Sequence, residues 1–208
     1  SAICVQKPEL PFQNAKLAFE AKLINSGVTY SIVRPTAFFK SLSGQIERLR
    51  AGKAFLVFGD GTLTACKPIS DDDLGDFIVG CISDPSRHNA TLPIGGPGDG
   101  ITPMDQGNEL FRLLGKEPKF KHVPIALMNV IYHTLRIAGR VSPKAAEKAE
   151  LARIGRYYAR ESMLVLNKQT DQYDADLTPS TGTETLFNFY ADVIANDVTI
   201  DRGDHAVF

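Results

Sequence analysis

With 208 residues, 43% hydrophobic and 23% charged, the chain can build a real core, and its composition excludes a disordered tail. A formal net charge of -1 gives the chain as a whole no electrostatic case for nucleic acid or an anionic membrane. Cys4, Cys66 and Cys81 lie far apart with no Cys-x-x-Cys pair, which points to reduced, buried thiols in place of a disulfide framework or a zinc site.

The chain opens at Ser1-Ala2-Ile3-Cys4-Val5 without an initiator methionine, and the apolar run 2–5 reads as a short buried strand entered mid-sheet. The expectation is a truncated chain whose further strands, and any targeting peptide, precede Ser1. A proline-punctuated loop leads to a helix over 11–23, closed at Asn25-Ser26-Gly27 with the glycine as left-handed cap. Phe12, Lys16, Phe19 and Leu23 share one stripe of that helix. An ammonium in an apolar stripe either snorkels to solvent or meets a ligand, and spacing alone favours the first.

Residues 28–33 are β-branched and aromatic, bounded by Gly27 and Pro35, and read as a strand. Strand, helix and strand with short joints is the grammar of a doubly wound parallel α/β sheet. Ligands in such sheets sit beyond the carboxyl ends of the strands, where Arg34-Pro35-Thr36-Ala37-Phe38 emerges. That shared crevice raises the standing of Lys16 as a ligand-binding residue.

A helix is expected over 39–51, ending at Gly52. Extended runs at 54–58 and 64–69 flank Gly59-Asp60-Gly61, which lacks the lysine and helix start of a phosphate loop. Ser70-Asp71-Asp72-Asp73 reads as a capped helix start over 71–83 and not as a metal site, because adjacent side chains do not converge on one cation. A strand at 91–94 runs into Gly95-Gly96-Pro97-Gly98, which fails as a dinucleotide fingerprint because Pro97 interrupts it and no helix follows directly. Thr102-Pro103-Met104-Asp105 starts the next helix, ending at Gly115, and 119–123 can form a strand.

The most hydrophobic helix spans 124–139, with Asn129, His133 and Arg136 as a narrow polar stripe. It is too short and too polar to cross a bilayer, which leaves two expectations: resting on a membrane surface, or covering a large flat ligand. A charged helix from Ser142, continuing towards Tyr157-Tyr158, a strand at 163–166, a polar loop over 167–180 and a helix over 183–194 complete the pattern, and the tail 201–208 is uninformative.

With these residues in place, the chain resembles the atypical, NmrA-like or extended short-chain dehydrogenases/reductases. That family carries Tyr-x-x-x-Lys on a helix, and here the register reads Phe12-Gln13-Asn14-Ala15-Lys16. The stretches Lys67-Pro68-Ile69-Ser70-Asp71-Asp72-Asp73-Leu74 and Ile101-Thr102-Pro103 through Leu114-Gly115-Lys116 are similar to recurring family segments. Longer stretches are similar to the plastid divinyl chlorophyllide 8-vinyl reductases. They include Ser31-Ile32-Val33-Arg34-Pro35-Thr36-Ala37-Phe38-Phe39 and Gly155-Arg156-Tyr157-Tyr158-Ala159.

The resemblance implies a fold class of α/β. Residues 1–52 would be the C-terminal half of a Rossmann-like NAD(P)-binding domain, and 53–208 a mixed α+β substrate-binding region with strands returning to the sheet. It implies a chloroplast enzyme that uses NADPH to reduce the vinyl group of a chlorophyllide-type tetrapyrrole. The near-neutral charge gives no nucleic-acid partner, and the apolar helix over 124–139 leaves peripheral membrane association as an expectation. Lys16 maps onto the ribose-binding lysine, Pro35, Thr36, Ala37 and Phe38 onto the nicotinamide loop, and Phe12, Phe39 and Tyr157 are candidates near substrate. Tyr157 and Tyr158 are the candidate proton donors. The family's glycine-rich pyrophosphate loop is absent from these residues, so the chain is expected to be an inactive portion by itself. The competing reading is a non-catalytic NmrA-like redox sensor or assembly scaffold, which suits the missing tyrosine.

Overall fold

The structure is a computed structural model and describes residues 1–200; the tail 201–208 lies outside the described residues. Two short parallel strand pairs organise it. Helix α1 (Pro11–Ile24) leads through Gly27, at φ 79°, into β1 (Ser31–Pro35). The short helices α2 (Phe39–Leu42) and α3 (Ile46–Arg50) precede β2 (Phe55–Phe58), and α4 (Asp71–Ser83) precedes β3 (Ala90–Ile94). Helix α5 (Pro103–Leu113) is followed by β4 (Phe120–Val123), then by α6 (Ile125–Ala138) and α7 (Pro143–Tyr158). The last elements among the described residues are β5 (Val165–Asn167), β6 (Gln172–Asp174) and α8 (Leu186–Ala195).

Strand β1 pairs in parallel with β3, Ser31 opposite Ala90 and Pro35 opposite Ile94. Strand β2 pairs in parallel with β4, and β5 with β6 as an antiparallel hairpin. Parallel pairing demands a crossover through a helix, which the expected alternation of strands and helices supplies. The architecture is therefore the α/β class expected.

The helix starts obey local chemistry. Ser70 Oγ accepts from Asp73 N at 3.0 Å, Thr102 Oγ1 from Asp105 N at 3.2 Å, and Thr185 Oγ1 from Asn188 N at 3.2 Å. The acidic triplet is thereby absorbed into structure. Asp73 carboxylate oxygens accept from Thr183 and Glu184 backbone N–H groups, and Asp71 pairs with Lys40 at 2.7 Å.

Three apolar clusters hold the chain. The largest joins β2 to α3, α5 and α8 through Leu49, Phe55, Val57, Leu110, Leu186 and Tyr190. A second holds Cys4, Leu10 and Tyr157, with Phe12 and Ile154 against them. The third packs Ile69, Leu74 and Ile94, with Val33 and Phe38 at its margin. Burial pushes the Cys66 thiol up to about 12, in keeping with an inert core cysteine.

Several expectations give way to tertiary contacts. Residues 2–5 form no strand: Ile3–Gln6 is a buried 3-10 turn, because the Cys4 carbonyl is taken by Gln13 Nε2 at 3.0 Å and the Tyr157 hydroxyl at 2.8 Å instead of a neighbouring strand. The helix expected over 39–51 is broken by a 3-10 turn at Ser43–Gln45. Residues 64–69 make single bridges, Cys66 to Ile101 and to Met163 and Ile69 to Phe38, and no continuous strand. The polar loop over 167–180 contains β6, whose partner β5 starts two residues after the strand expected at 163.

The Gly95-Gly96 pair is a backbone crossing. A Cβ on Gly96 would lie 1.9 Å from the Pro68 carbonyl oxygen, and one on Gly95 2.8 Å from the Lys67 carbonyl oxygen. Gly96 N–H donates to Lys67 O at 3.2 Å, and Gly95 N–H to Pro179 O at 2.8 Å. Glycine is required because backbone approaches backbone, which explains why this loop carries glycines without a phosphate-binding helix behind it. Replacing Gly96 with alanine is expected to lower stability by about 1–3 kcal/mol, the range for overpacking, read as a drop in the urea midpoint at unchanged slope. A midpoint equal to that of the parent would mean that the crossing relaxes freely.

Candidate active site

Helix α1 is anchored by a polar face. Gln13 is fully buried; its Oε1 accepts from Glu9 N–H at 2.7 Å and Leu10 N–H at 2.8 Å, and its Nε2 donates to the Cys4 carbonyl. One amide side chain thus satisfies two orphan N–H groups at the helix start and ties them to the 3-10 turn. Two turns on, buried Glu20 receives both arms of Arg34, Nε to Oε1 at 3.0 Å and Nη2 to Oε2. This bidentate pair clamps α1 onto β1. Burial works to raise the Glu20 carboxyl, but the hydrogen bonds and charge of Arg34, together with those of the Ser1 ammonium, outweigh it and hold the group below the ordinary carboxylate range.

The clamp decides what Lys16 does. Lys16 and Glu20 stand four residues apart on one helix, the spacing of a natural ion pair. Because Arg34 occupies the Glu20 carboxylate, Lys16 has no ion pair or hydrogen bond among the described residues. Its half-buried side chain lines an open cleft of about 780 Å³ between α1, β1 and α4. Phe19, Leu23, Val33, Pro35, Phe38 and Leu74 share that lining. The stripe read from periodicity is real over Lys16, Phe19 and Leu23, but it faces this cleft instead of the core, and Phe19 is 67% exposed.

The end of β1 and the loop after it divide into two roles. Pro35 and Phe38 line the cleft with Lys16. Thr36 is buried: its N–H donates to Ile94 O at 3.0 Å and its hydroxyl to the Lys67 carbonyl. Ala37 carbonyl accepts from Ile69 N–H at 2.9 Å. Thr36 and Ala37 therefore fix the loop, while Pro35 and Phe38 present it.

The remaining candidates lie elsewhere. Phe12 packs with Cys4, Leu10 and Tyr157 and is not among the cleft-lining residues. Phe39 is in the main core, 5.4 Å between ring centroids from Phe189. Tyr157 is buried, its hydroxyl donating to Cys4 O, and the Tyr158 hydroxyl faces Cys4 Sγ at 3.9 Å. Burial raises both phenols well above the tyrosine range. Neither is placed to donate a proton into the cleft. Sequence reading missed Gln13, Glu20 and Lys67, whose buried ammonium donates to Thr178 O at 3.2 Å and Ser180 Oγ at 3.3 Å. The signal for Glu20 was available as a lone acid on α1 with an arginine in the following strand.

As for a cofactor, the residues present suit one end of a dinucleotide: a free ammonium and an apolar loop wall at the carboxyl end of a parallel strand. Among the described residues no group of three His, Cys, Asp or Glu side chains could hold a metal ion.

Replacing Glu20 with glutamine leaves the Arg34 charge without its carboxylate and is expected to cost about 2–3 kcal/mol near neutral pH, with Arg34→Met in the same chain recovering part of the loss. The native carboxyl is held low, so its contribution is present above the unfolded carboxylate range, about 4.3, and is lost as acid protonates it in the fold. The parent should therefore lose stability in acid more steeply than Glu20→Gln. Parallel acid profiles would remove the clamp from the account.

No family profile matches the chain. It is 52% identical over 214 residues to the "Divinyl chlorophyllide a 8-vinyl-reductase, chloroplastic" of Cucumis sativus, covering 100% of this chain and 51% of that protein. With the Arabidopsis thaliana protein of the same name it shares 53% identity over 200 residues, covering 93% of this chain and 48% of that one. The chain thus spans about half the length of these curated relatives. Among solved structures it is similar to isoflavone reductase, with a TM-score of 0.63 at 15% identity over 92% of this chain and 62% of that one. An NADPH-dependent quinone oxidoreductase of Escherichia coli in complex with NADPH superposes with a TM-score of 0.61 at 15% identity, covering 94% and 63%. At such identities these structures establish the fold, which is that of the Rossmann-like reductases. Matched along its whole length at about half identity, the chain is homologous to the divinyl chlorophyllide 8-vinyl reductases, of which it spans about half.

Proposed function

We propose that this chain forms the nicotinamide-and-substrate side of an NADPH-dependent chloroplast reductase that converts the 8-vinyl group of a divinyl chlorophyllide-type tetrapyrrole to ethyl. The observation that carries the reading is the unpaired Lys16 ammonium in one cleft with Pro35 and Phe38, in a chain half identical to vinyl reductases. Residues 1–52 would contribute the cofactor-facing elements and 53–208 the substrate-facing ones, with β3 returning from the second part to pair with β1.

The chemistry that NADPH would supply when bound is a hydride, and solvent would supply the proton that completes saturation of the vinyl double bond. The residues of the chain hold the geometry. Lys16 would donate hydrogen bonds to the ribose hydroxyls and add positive charge beside the nicotinamide. Pro35 and Phe38 give that ring a rigid apolar wall, which Thr36 and Ala37 secure through Lys67, Ile94 and Ile69. Phe12 offers no hydroxyl where the wider family has one. That suits a vinyl group conjugated to a macrocycle, which spreads the incoming electron pair and needs no adjacent acid as a carbonyl does.

The test uses the full natural chain, NADPH and divinyl chlorophyllide, following the monovinyl product by chromatography. Lys16→Ala is expected to lower kcat/KM for NADPH by about 10²-fold or more, with Lys16→Arg retaining part. Unchanged kinetics would take Lys16 out of the site. Cofactor binding without turnover would overturn the enzyme reading in favour of a dinucleotide sensor.

A further inference from the structure

Helices α6 and α7 pack against each other as a hairpin. The inner face of α6 presents Met128, Asn129 and Tyr132, with the Arg156 guanidinium 4.6 Å from the Tyr132 ring and Arg156 Nη1 3.4 Å from Asn129 Oδ1. Gly139 closes the turn, where a Cβ would lie 3.0 Å from Ala146 Cα. With that face committed to α7, the opposite face is left exposed among the described residues.

It is apolar. Leu127, Val130, Ile131 and Ile137 recur at helical spacing, and Val141 continues the row into the turn; Val130 is 60% exposed, Ile137 62% and Val141 88%. A soluble surface scatters exposed aliphatic residues, whereas a continuous row of them marks an interaction face.

Charge identifies the occupant. From Pro118 to Ala146 the chain holds Lys119, Lys121, Arg136, Arg140 and Lys144 and no aspartate or glutamate, although the whole chain is nearly neutral. All five cations are exposed and none is in an ion pair among the described residues. Lys119 and Lys121 lie before α6 and Arg140 and Lys144 at the turn after it, bracketing the stripe, while Arg136 lies on the other side of the helix with its guanidinium 5.8 Å from the Tyr132 ring. Long basic side chains bracketing an apolar helix face match a bilayer interface, with aliphatic groups among acyl chains and ammonium or guanidinium groups at anionic headgroups. Among the described residues no helix is long and apolar enough to cross a membrane, so α6 would lie in the interface plane.

We infer that the exposed Leu127–Val130–Ile131–Ile137–Val141 face of the α6–α7 hairpin docks on an anionic lipid surface. The inference stands apart from the reaction proposed above, since it uses none of the cleft residues. A tetrapyrrole substrate of low solubility would then be met where it partitions.

The test is sedimentation of the full natural chain with vesicles of equal parts phosphatidylglycerol and phosphatidylcholine, beside pure phosphatidylcholine. The parent should bind the mixed vesicles, more weakly at high salt, and bind pure phosphatidylcholine poorly. Val130→Glu with Ile137→Glu should lower binding to the mixed vesicles by about tenfold or more, and Arg140→Glu with Lys144→Glu by a similar factor. All four positions are exposed, and an unchanged circular dichroism spectrum and Tm confirm the fold. Equal binding by parent and variants overturns the inference. So does failure of the parent to bind while it self-associates through residues that the Val130/Ile137 variant disrupts, which would make this face a protein interface.

Discussion

The Arg34–Glu20 pair is the contact on which the site depends. A carboxylate buried on a helix is unfavourable unless something of opposite charge and matching shape meets it, and the arginine fork from β1 does so with two hydrogen bonds. The pair sets the distance between helix and strand. It also withdraws Glu20 from Lys16, its natural neighbour on the helix surface, and leaves an ammonium facing an apolar cleft. A buried ion pair is thus used here less for stability than for arrangement.

The same economy governs the loop after β1. The crossing of Gly95-Gly96 over Lys67-Pro68 brings two backbones closer than any side chain would permit, and Thr36 stitches its hydroxyl to the same Lys67 carbonyl. Pro35 and Phe38 are then held at the carboxyl end of a parallel pair, where the polypeptide leaves an opening for a ligand. Glycines that resemble a phosphate motif in sequence serve backbone packing in the fold. Geometry separates the two uses, because a phosphate loop must open a helix and this one runs on to Pro97 and Gly98.

The α6–α7 hairpin shows the opposite logic. Helix α7 is tied to the start of the chain through Ile154 and Tyr157, whereas α6 packs chiefly on α7 and leaves an outer, largely apolar face with cations towards both ends. The cleft leaves one charge unpaired inside, whereas the hairpin gathers charge around an exposed apolar row. These are two kinds of incompleteness in one chain, and they point to different classes of molecule.

Much of this was legible beforehand. Alternation of helix and strand, the capping residues Ser70, Thr102 and Ser142, and the positive φ at Gly27 follow from local chemistry, which acts over a few residues and so can be read in order. The stripe of Lys16, Phe19 and Leu23 was legible for the same reason. Tertiary structure decided what lay opposite them. Residues 2–5 became a 3-10 turn because Gln13 and Tyr157, distant in sequence, claim the Cys4 carbonyl. Phe12, Phe39 and Tyr157 went to packing because apolar side chains fill whichever cluster closes around them. Composition and spacing determined which elements form. Only the fold determined that α1 buries a polar face and turns its apolar stripe to an open cleft, because the partner that makes Glu20 tolerable inside comes from another strand.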